Sequence, residues 1–173
     1  MNVKILREAG YDEALVGISL SYNSTGDMKA VADKLAKRGG SHAKFLESMA
    51  VWIDITAPRY WWSQFDTYRI GVTKQSESTM HTLTKRMLVG GDFQTTMDTG
   101  TIMTLNEMIV AKNLEAAKAH LPESFLQRRI VCMNYMALQR IIRQRYNHKL
   151  PEWRMFCDDV LGQCEYPEFL EEA

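Results

Sequence analysis

Apolar positions along the chain follow a period of about 3.6 residues in some stretches and about 2 in others, so helices and a few strands are both expected. Val3 to Leu6 reads as a short first strand. From Asp12, the residues Leu15, Val16, Ile18 and Leu20 give a helix with a broad apolar face, which the polar break Ser21 to Gly26 ends. Asp27 caps a second helix through Lys37, and Gly39-Gly40 stops it. Ser41 caps a third helix, to about Met49. Ala50 to Ile55 is a strand with Asp54 as its polar interruption, and Pro58 opens a helix holding Tyr60, Trp61, Trp62, Gln64 and Phe65.

Tyr68 to Thr73 predicts a second strand or an extended turn, and Ser76 to Leu88 a loop leading to a helix. The glycine- and threonine-rich stretch Gly90 to Thr101 is the most loop-like part of the chain. Met103 to His120 predicts one amphipathic helix, interrupted by Leu121-Pro122, and Ser124 to Tyr146 predicts the longest helix. Pro151 starts a last helix to about Cys164, and Pro167 closes the pattern. The sum is an α+β fold, rich in helix with a small sheet, in a single domain spanning 1–173.

A chain of 173 residues buries roughly 70% of its unfolded surface and folds without staples. Its 21 basic and 21 acidic side chains balance, so charge advertises neither nucleic acid nor an anionic membrane as a partner. No apolar run approaches the roughly 18 residues of a membrane span, and the opening MNVKILREAG does not read as a signal peptide. Cys132, Cys157 and Cys164 lack metal-type spacing, which predicts a reducing, cytoplasmic setting.

Candidate chemistry concentrates between Ser41 and His81. His42 follows a Gly-Gly turn at a helix start, where free N–H groups favour an anion; the alternative is a solvated histidine. Tyr60, Trp61 and Trp62 either stack on a flavin or a base or are core. The Gln64 amide both donates and accepts, as the imide edge of a pyrimidine requires. Arg69 suits a phosphate or a carbonyl. Gln75, Ser76, Glu77 and Ser78 either line a site or form a solvated loop. Farther on, Arg140 and Arg143 share a helix face and Arg145 points elsewhere. No HExxH, P-loop, GxGxxG or nucleophile elbow occurs, and no metal-ligand cluster.

Taken in order, several short pieces resemble the flavin-dependent thymidylate synthases. They are Glu13-Ala14-Leu15 through Ser21-Tyr22-Asn23-Ser24, then Gly40-Ser41-His42 with Leu46-Glu47, then Thr56-Ala57-Pro58 up to Gln64 and Arg69. Ala116-Ala117 with Leu121-Pro122 follows, then Asn134, Leu138, Ile141, Ile142 and Arg145, then Glu152-Trp153, and last Pro167-Glu168-Phe169. The resemblance implies a small, mainly antiparallel sheet and a homotetramer with FAD held between subunits. It implies a transferase of nucleotide biosynthesis that adds one carbon to carbon 5 of deoxyuridylate (dUMP). Methylenetetrahydrofolate is the implied carbon donor and NADPH the implied reductant. His42, Arg69 and Asn134 fall to the cofactor; Gln64, Gln75, Ser76, Glu77, Ser78 and Arg145 fall to the nucleotide. Such chemistry needs no protein nucleophile, and no catalytic residue is assigned.

The family signature departs here in particular ways. Thr67-Tyr68-Arg69 stands for its Arg-His-Arg, Val72 for its serine, and Gln75 to Ser78 for its Asn-Glu-x-Ser part. Thr79-Met80-His81 lacks a phosphate-binding arginine; Met136 stands where the family has arginine and Arg140 where it has asparagine. Lys74, Lys85, Arg86 and Arg140 are the replacement cations on offer. A protein that kept the oligomeric fold and binds a nucleotide or a partner without catalysis is the alternative.

Overall fold

The computed structural model describes residues 1–170. Its α+β fold joins helices to a small antiparallel sheet of four strands, in the order β1-β2-β4-β3: β1 Asn2–Ala9, β2 Ala50–Pro58, β3 Val72–Ser76 and β4 Leu126–Asn134. Strand β2 shows how the sequence builds it. Val51, Ile53, Ile55 and Ala57 alternate onto one face and are fully buried, so Asp54 interrupts nothing; it takes the opposite face.

The helices are α1 Tyr11–Tyr22, α2 Lys29–Arg38, α3 Arg59–Phe65, α4 Thr79–Thr82, α5 Thr99–Val110, α6 Leu114–Ala119, α7 Tyr135–Arg145 and α8 Pro151–Leu161. Several boundaries differ from those read off the sequence. The segment Gly40–Glu47 is a 3-10 helix that starts from Gly39, not an α-helix capped by Ser41. Asp27 does accept the Lys29 N–H at 2.8 Å, just ahead of α2. The stretch expected as one helix from Met103 to His120 is two. Lys112 adopts φ 55°, and the Asn113 side chain caps α6 by accepting the Ala116 N–H at 3.1 Å. Helix α5 also begins earlier, at Thr99, because Asp98 accepts the Thr101 N–H at 2.9 Å.

The largest correction concerns Ser124 to Tyr146. Its first half is strand β4, and only its second half is helix α7. Asn134 marks the switch: its backbone is extended, while its side chain accepts the Ala137 N–H at 2.8 Å and caps α7.

The chain forms two compact units, and the division falls within the strands. One unit comprises Met1–Asn2, Ile55–Thr67 and Gln75–Arg129. Leu83, Leu88, Phe93, Leu105, Ile109, Ala117 and Leu121 form a core in it, with Phe93 and Phe125 edge to face. Buried Asn106 clamps the irregular segment at Leu88, accepting its N–H at 2.7 Å and donating to its carbonyl at 2.9 Å. Trp61 and Trp62 of α3 are core residues, at 0% and 1% exposure, packed on each other and on Phe65.

The other unit comprises Val3–Asp54, Tyr68–Lys74 and the described residues from Ile130 on. Helix α7 buries Leu138, Ile141 and Ile142, and α8 buries Trp153, Phe156 and Val160. Buried Gln139 donates to the carbonyls of Ala36, at 3.2 Å, and Phe169, at 2.5 Å. Tyr135 donates its hydroxyl proton to Glu8, whose other carboxylate oxygen accepts the Glu165 N–H at 2.8 Å. On α1, Val16 and Leu20 lie one turn apart and remain 60% and 77% exposed.

Candidate functional site

In the second unit, the polar chemistry gathers around Tyr68. The ring is buried, and its hydroxyl does double duty. It accepts the Arg145 Nε–H at 2.8 Å and donates to Gln144 Oε1 at 3.0 Å. The Arg145 guanidinium lies 5.5 Å from the Tyr68 ring centre and 4.8 Å from that of Trp153, so two aromatic rings and a hydrogen bond fix it. Lys74 Nζ donates to the Tyr68 carbonyl at 3.0 Å. Arg140, exposed on α7, stands 5.9 Å from the same ring centre. Arg140 and Arg145 thus approach one ring, whereas Arg143 turns toward the Ala36 carbonyl at 3.4 Å, the reverse of the grouping expected from helix spacing.

Arg69 follows Tyr68 and is exposed. Its carbonyl accepts the Val72 N–H at 3.4 Å, closing a turn that contains Gly71 at φ 72°. The Gly71 carbonyl accepts the Asn134 N–H at 3.1 Å, and a Cβ on Gly71 would meet Asn134 Nδ2 at 2.8 Å. Asn134 therefore works at close quarters: its amide oxygen caps α7, and its side chain packs on the glycine of the turn.

His42 is exposed on the 3-10 segment and opens onto a cleft of about 430 Å³ shared with Glu13, Ile18, Tyr22, Lys44 and Glu47. Its own N–H is taken by the Gly39 carbonyl at 3.2 Å, so the expected free donor at this turn is not that of His42. What His42 offers is its imidazole.

In the first unit, Gln64 is half-buried on α3, and its carbonyl accepts both the N–H and the hydroxyl of Thr67, at 3.2 and 2.8 Å. Gln75 and Ser76 end β3 and are exposed, and Glu77 and Ser78 lead into α4. Main-chain bonds hold this run: Glu77 donates its N–H to Arg128 O at 2.9 Å and accepts Gln127 Nε2 at 3.0 Å. Glu77 borders a cleft of about 390 Å³ that also touches Thr82, Lys85, Arg86 and Asp92. Arg86 is committed to Asp92 through a two-pronged ion pair, which together with the Val89 N–H holds the Asp92 carboxyl below the usual carboxylate range against the opposing effect of burial. That pairing leaves Arg86 poorly placed to serve a ligand. Arg129 likewise grips Asp66 at 2.9 and 3.0 Å while lying 4.3 Å from the centre of the Trp62 ring.

The cysteines are not poised for nucleophilic work. Burial pushes Cys157 and Cys164 up to about 12 and raises Cys132 as well. Among the described residues no group of His, Cys, Asp and Glu could hold a metal ion, and no helix is long and apolar enough to cross a membrane.

The roles of Gln144 and Trp153 as partners in the Tyr68 nest were missed by sequence reasoning. No local signal could have revealed them, because their partner lies more than seventy positions away along the chain, 76 in the case of Gln144.

No family model matches the chain, and no curated protein matches its sequence. Among solved structures, the fold is similar to that of flavin-dependent thymidylate synthase ThyX from Helicobacter pylori complexed with FAD and dUMP. The TM-score is 0.80 at 19% identity, over 99% of this chain and 98% of that one. A second structure of ThyX from the same organism, with FAD and dUMP, gives a TM-score of 0.79 at 19% identity, over 98% and 97%. The described residues have the ThyX fold.

Proposed function

We propose that the chain is a flavoprotein that binds FAD and a pyrimidine deoxynucleotide, and that it carries out reductive one-carbon transfer to carbon 5 of dUMP. The observation that carries this reading is the full-length likeness to a thymidylate synthase complexed with both ligands. The residues support it chemically. Arg69 exposes a guanidinium suited to phosphate oxygens, and His42 offers an imidazole at an open cleft. These groups fit FAD, with Asn134 fixing the turn that carries Arg69. FAD held by these residues would supply hydride-transfer chemistry.

The chain's own task is to bind, orient and polarise. The proposed nucleotide contacts are Gln64, Gln75, Ser76, Glu77, Ser78 and Arg145. Gln64 reads the imide edge, and hydrogen bonds to the ring carbonyls favour charge developing on the ring. Arg145 is braced in place by the Tyr68 hydroxyl and the Trp153 ring. Methylenetetrahydrofolate as carbon donor, NADPH as reductant, a homotetramer and a cytoplasmic setting complete the proposal. The exposed Val16 and Leu20 on α1 support assembly.

The test is direct. Purified protein should take up FAD with visible flavin absorbance, bind dUMP in calorimetry, and oxidise NADPH in a dUMP-dependent way. A colourless protein that takes up no FAD and gives no heat with dUMP would sink the proposal. A second reading, nucleotide or partner binding without catalysis, is favoured by the signature replacements at Thr67-Tyr68 and Met80, where a tyrosine hydroxyl now engages Arg145. FAD and dUMP binding with no NADPH turnover would select it.

A further inference from the structure

We infer that the groove between α5 and the segment 86–89 is a docking site for an amphipathic helix of a partner protein, one that sets a lysine or arginine between apolar side chains. The inference is independent of the nucleotide reading and concerns a face that reading does not use.

Helix α5 turns Leu105 and Ile109 into the core and leaves Met103 and Val110, two turns apart, 58% and 70% exposed. Met87, also exposed, stands across from them, and together they line a cleft of about 400 Å³. Methionine is unbranched and polarisable, so such a surface moulds itself to an apolar helix face. The backbone behind Met87 is not soft. Asn106 holds both main-chain groups of Leu88, at 2.7 and 2.9 Å. Arg86 Nη1 donates to the Met87 carbonyl at 3.1 Å, and the Val89 N–H donates to Asp92 at 2.8 Å. The wall is therefore fixed while its side chains adapt, which keeps the ordering cost of docking low.

Charge selects the occupant. Glu107 is the only charged residue that lines the groove, one turn after Met103 and one turn before Val110. Among the described residues, its carboxylate has no ion-pair or hydrogen-bond partner. An apolar stripe broken by one unmatched negative charge is complementary to a helix whose own apolar stripe is broken by one positive charge. A second copy of this chain fits worse. Glu107 stands near the middle of the Met103–Val110 stripe, so a two-fold axis through the groove would set two carboxylates against each other.

The experiment is fluorescence anisotropy of two labelled synthetic helical peptides titrated with the full chain. Both peptides carry a leucine stripe at helical spacing; one has lysine at its centre and the other glutamate. The lysine peptide should bind about 3- to 10-fold more tightly, and Glu107→Lys should reverse that preference. Met87→Ser and Met103→Ser should each weaken the lysine peptide by about 5-fold. All three positions are exposed, and matching thermal melts would establish that the variants fold. Binding of neither peptide overturns the inference, as does equal binding of both that ignores Glu107→Lys. Self-association of the wild type that Val110→Glu abolishes would overturn it too, by giving the groove to a second copy.

Discussion

Gly71→Ala tests how the turn behind Tyr68 and Arg69 is held. At φ 72° the new Cβ would lie 2.8 Å from Asn134 Nδ2 and 3.1 Å from its Cγ and Oδ1. The left-handed backbone alone costs an L-residue about 1–2 kcal/mol. The contact must also be relieved, and the Asn134 amide is the part that can swing. It can do so only by giving up the Ala137 N–H that it caps at 2.8 Å, a loss of about 0.5–2 kcal/mol. The single variant should therefore lose about 1.5–4 kcal/mol, and Asn134→Ala about 0.5–2 kcal/mol. The double variant is the informative one. Once the amide is gone the contact is gone, and the cap is lost only once. Gly71→Ala with Asn134→Ala should be no less stable than Gly71→Ala alone, a coupling of about 1 kcal/mol. Equilibrium urea unfolding, with its slope unchanged across the set, measures all four corners. Losses that simply add, within about 0.5 kcal/mol, would refute the steric account.

Three further outcomes are expected. Asp92→Asn should destabilise by about 1 kcal/mol at neutral pH, since the Arg86 partner is largely exposed and screened. Because the folded-state pKa of Asp92 is depressed, its contribution is complete above the unfolded value near 4 and fades as pH falls through the folded value, so the gap to wild type should close in acid urea titrations. Asn106→Ala strands the buried N–H and carbonyl of Leu88 and should cost about 2–4 kcal/mol by the same unfolding assay; a loss under about 1 kcal/mol would mean that water or a neighbour replaces the clamp. If the proposed assembly uses α1, Leu20→Glu should break it up in light scattering while leaving the isolated copy within about 0.5 kcal/mol of its former stability; a wild type that already runs as one copy would end that idea.

The legible parts of the fold are those in which local pattern and burial agree. Strand β2 alternates cleanly, Gly39-Gly40 stops α2, and Pro151 starts α8. Strand β4 was illegible because Ile130-Val131-Cys132-Met133 is a short apolar run, and such a run fits a strand or a buried helix equally well. The break between α5 and α6 hides at Lys112, a residue whose type gives no hint of a left-handed backbone. For the candidate site, sequence offered only individual residues, through the side-chain chemistry of His42, Gln64 and Arg69. What sequence could not supply was company. Arg145 and Tyr68 lie 77 positions apart, and helix spacing alone wrongly parted Arg145 from Arg140.

The buried thiols have a practical consequence. With Cys157 and Cys164 pushed up to about 12 by burial, dyes that attack the thiolate should react slowly with them. Cys132 is shifted the same way. A cysteine introduced at an exposed position such as Met80 should therefore be labelled faster than Cys157 and Cys164. A fluorophore there would let the proposed nucleotide binding be tested in real time.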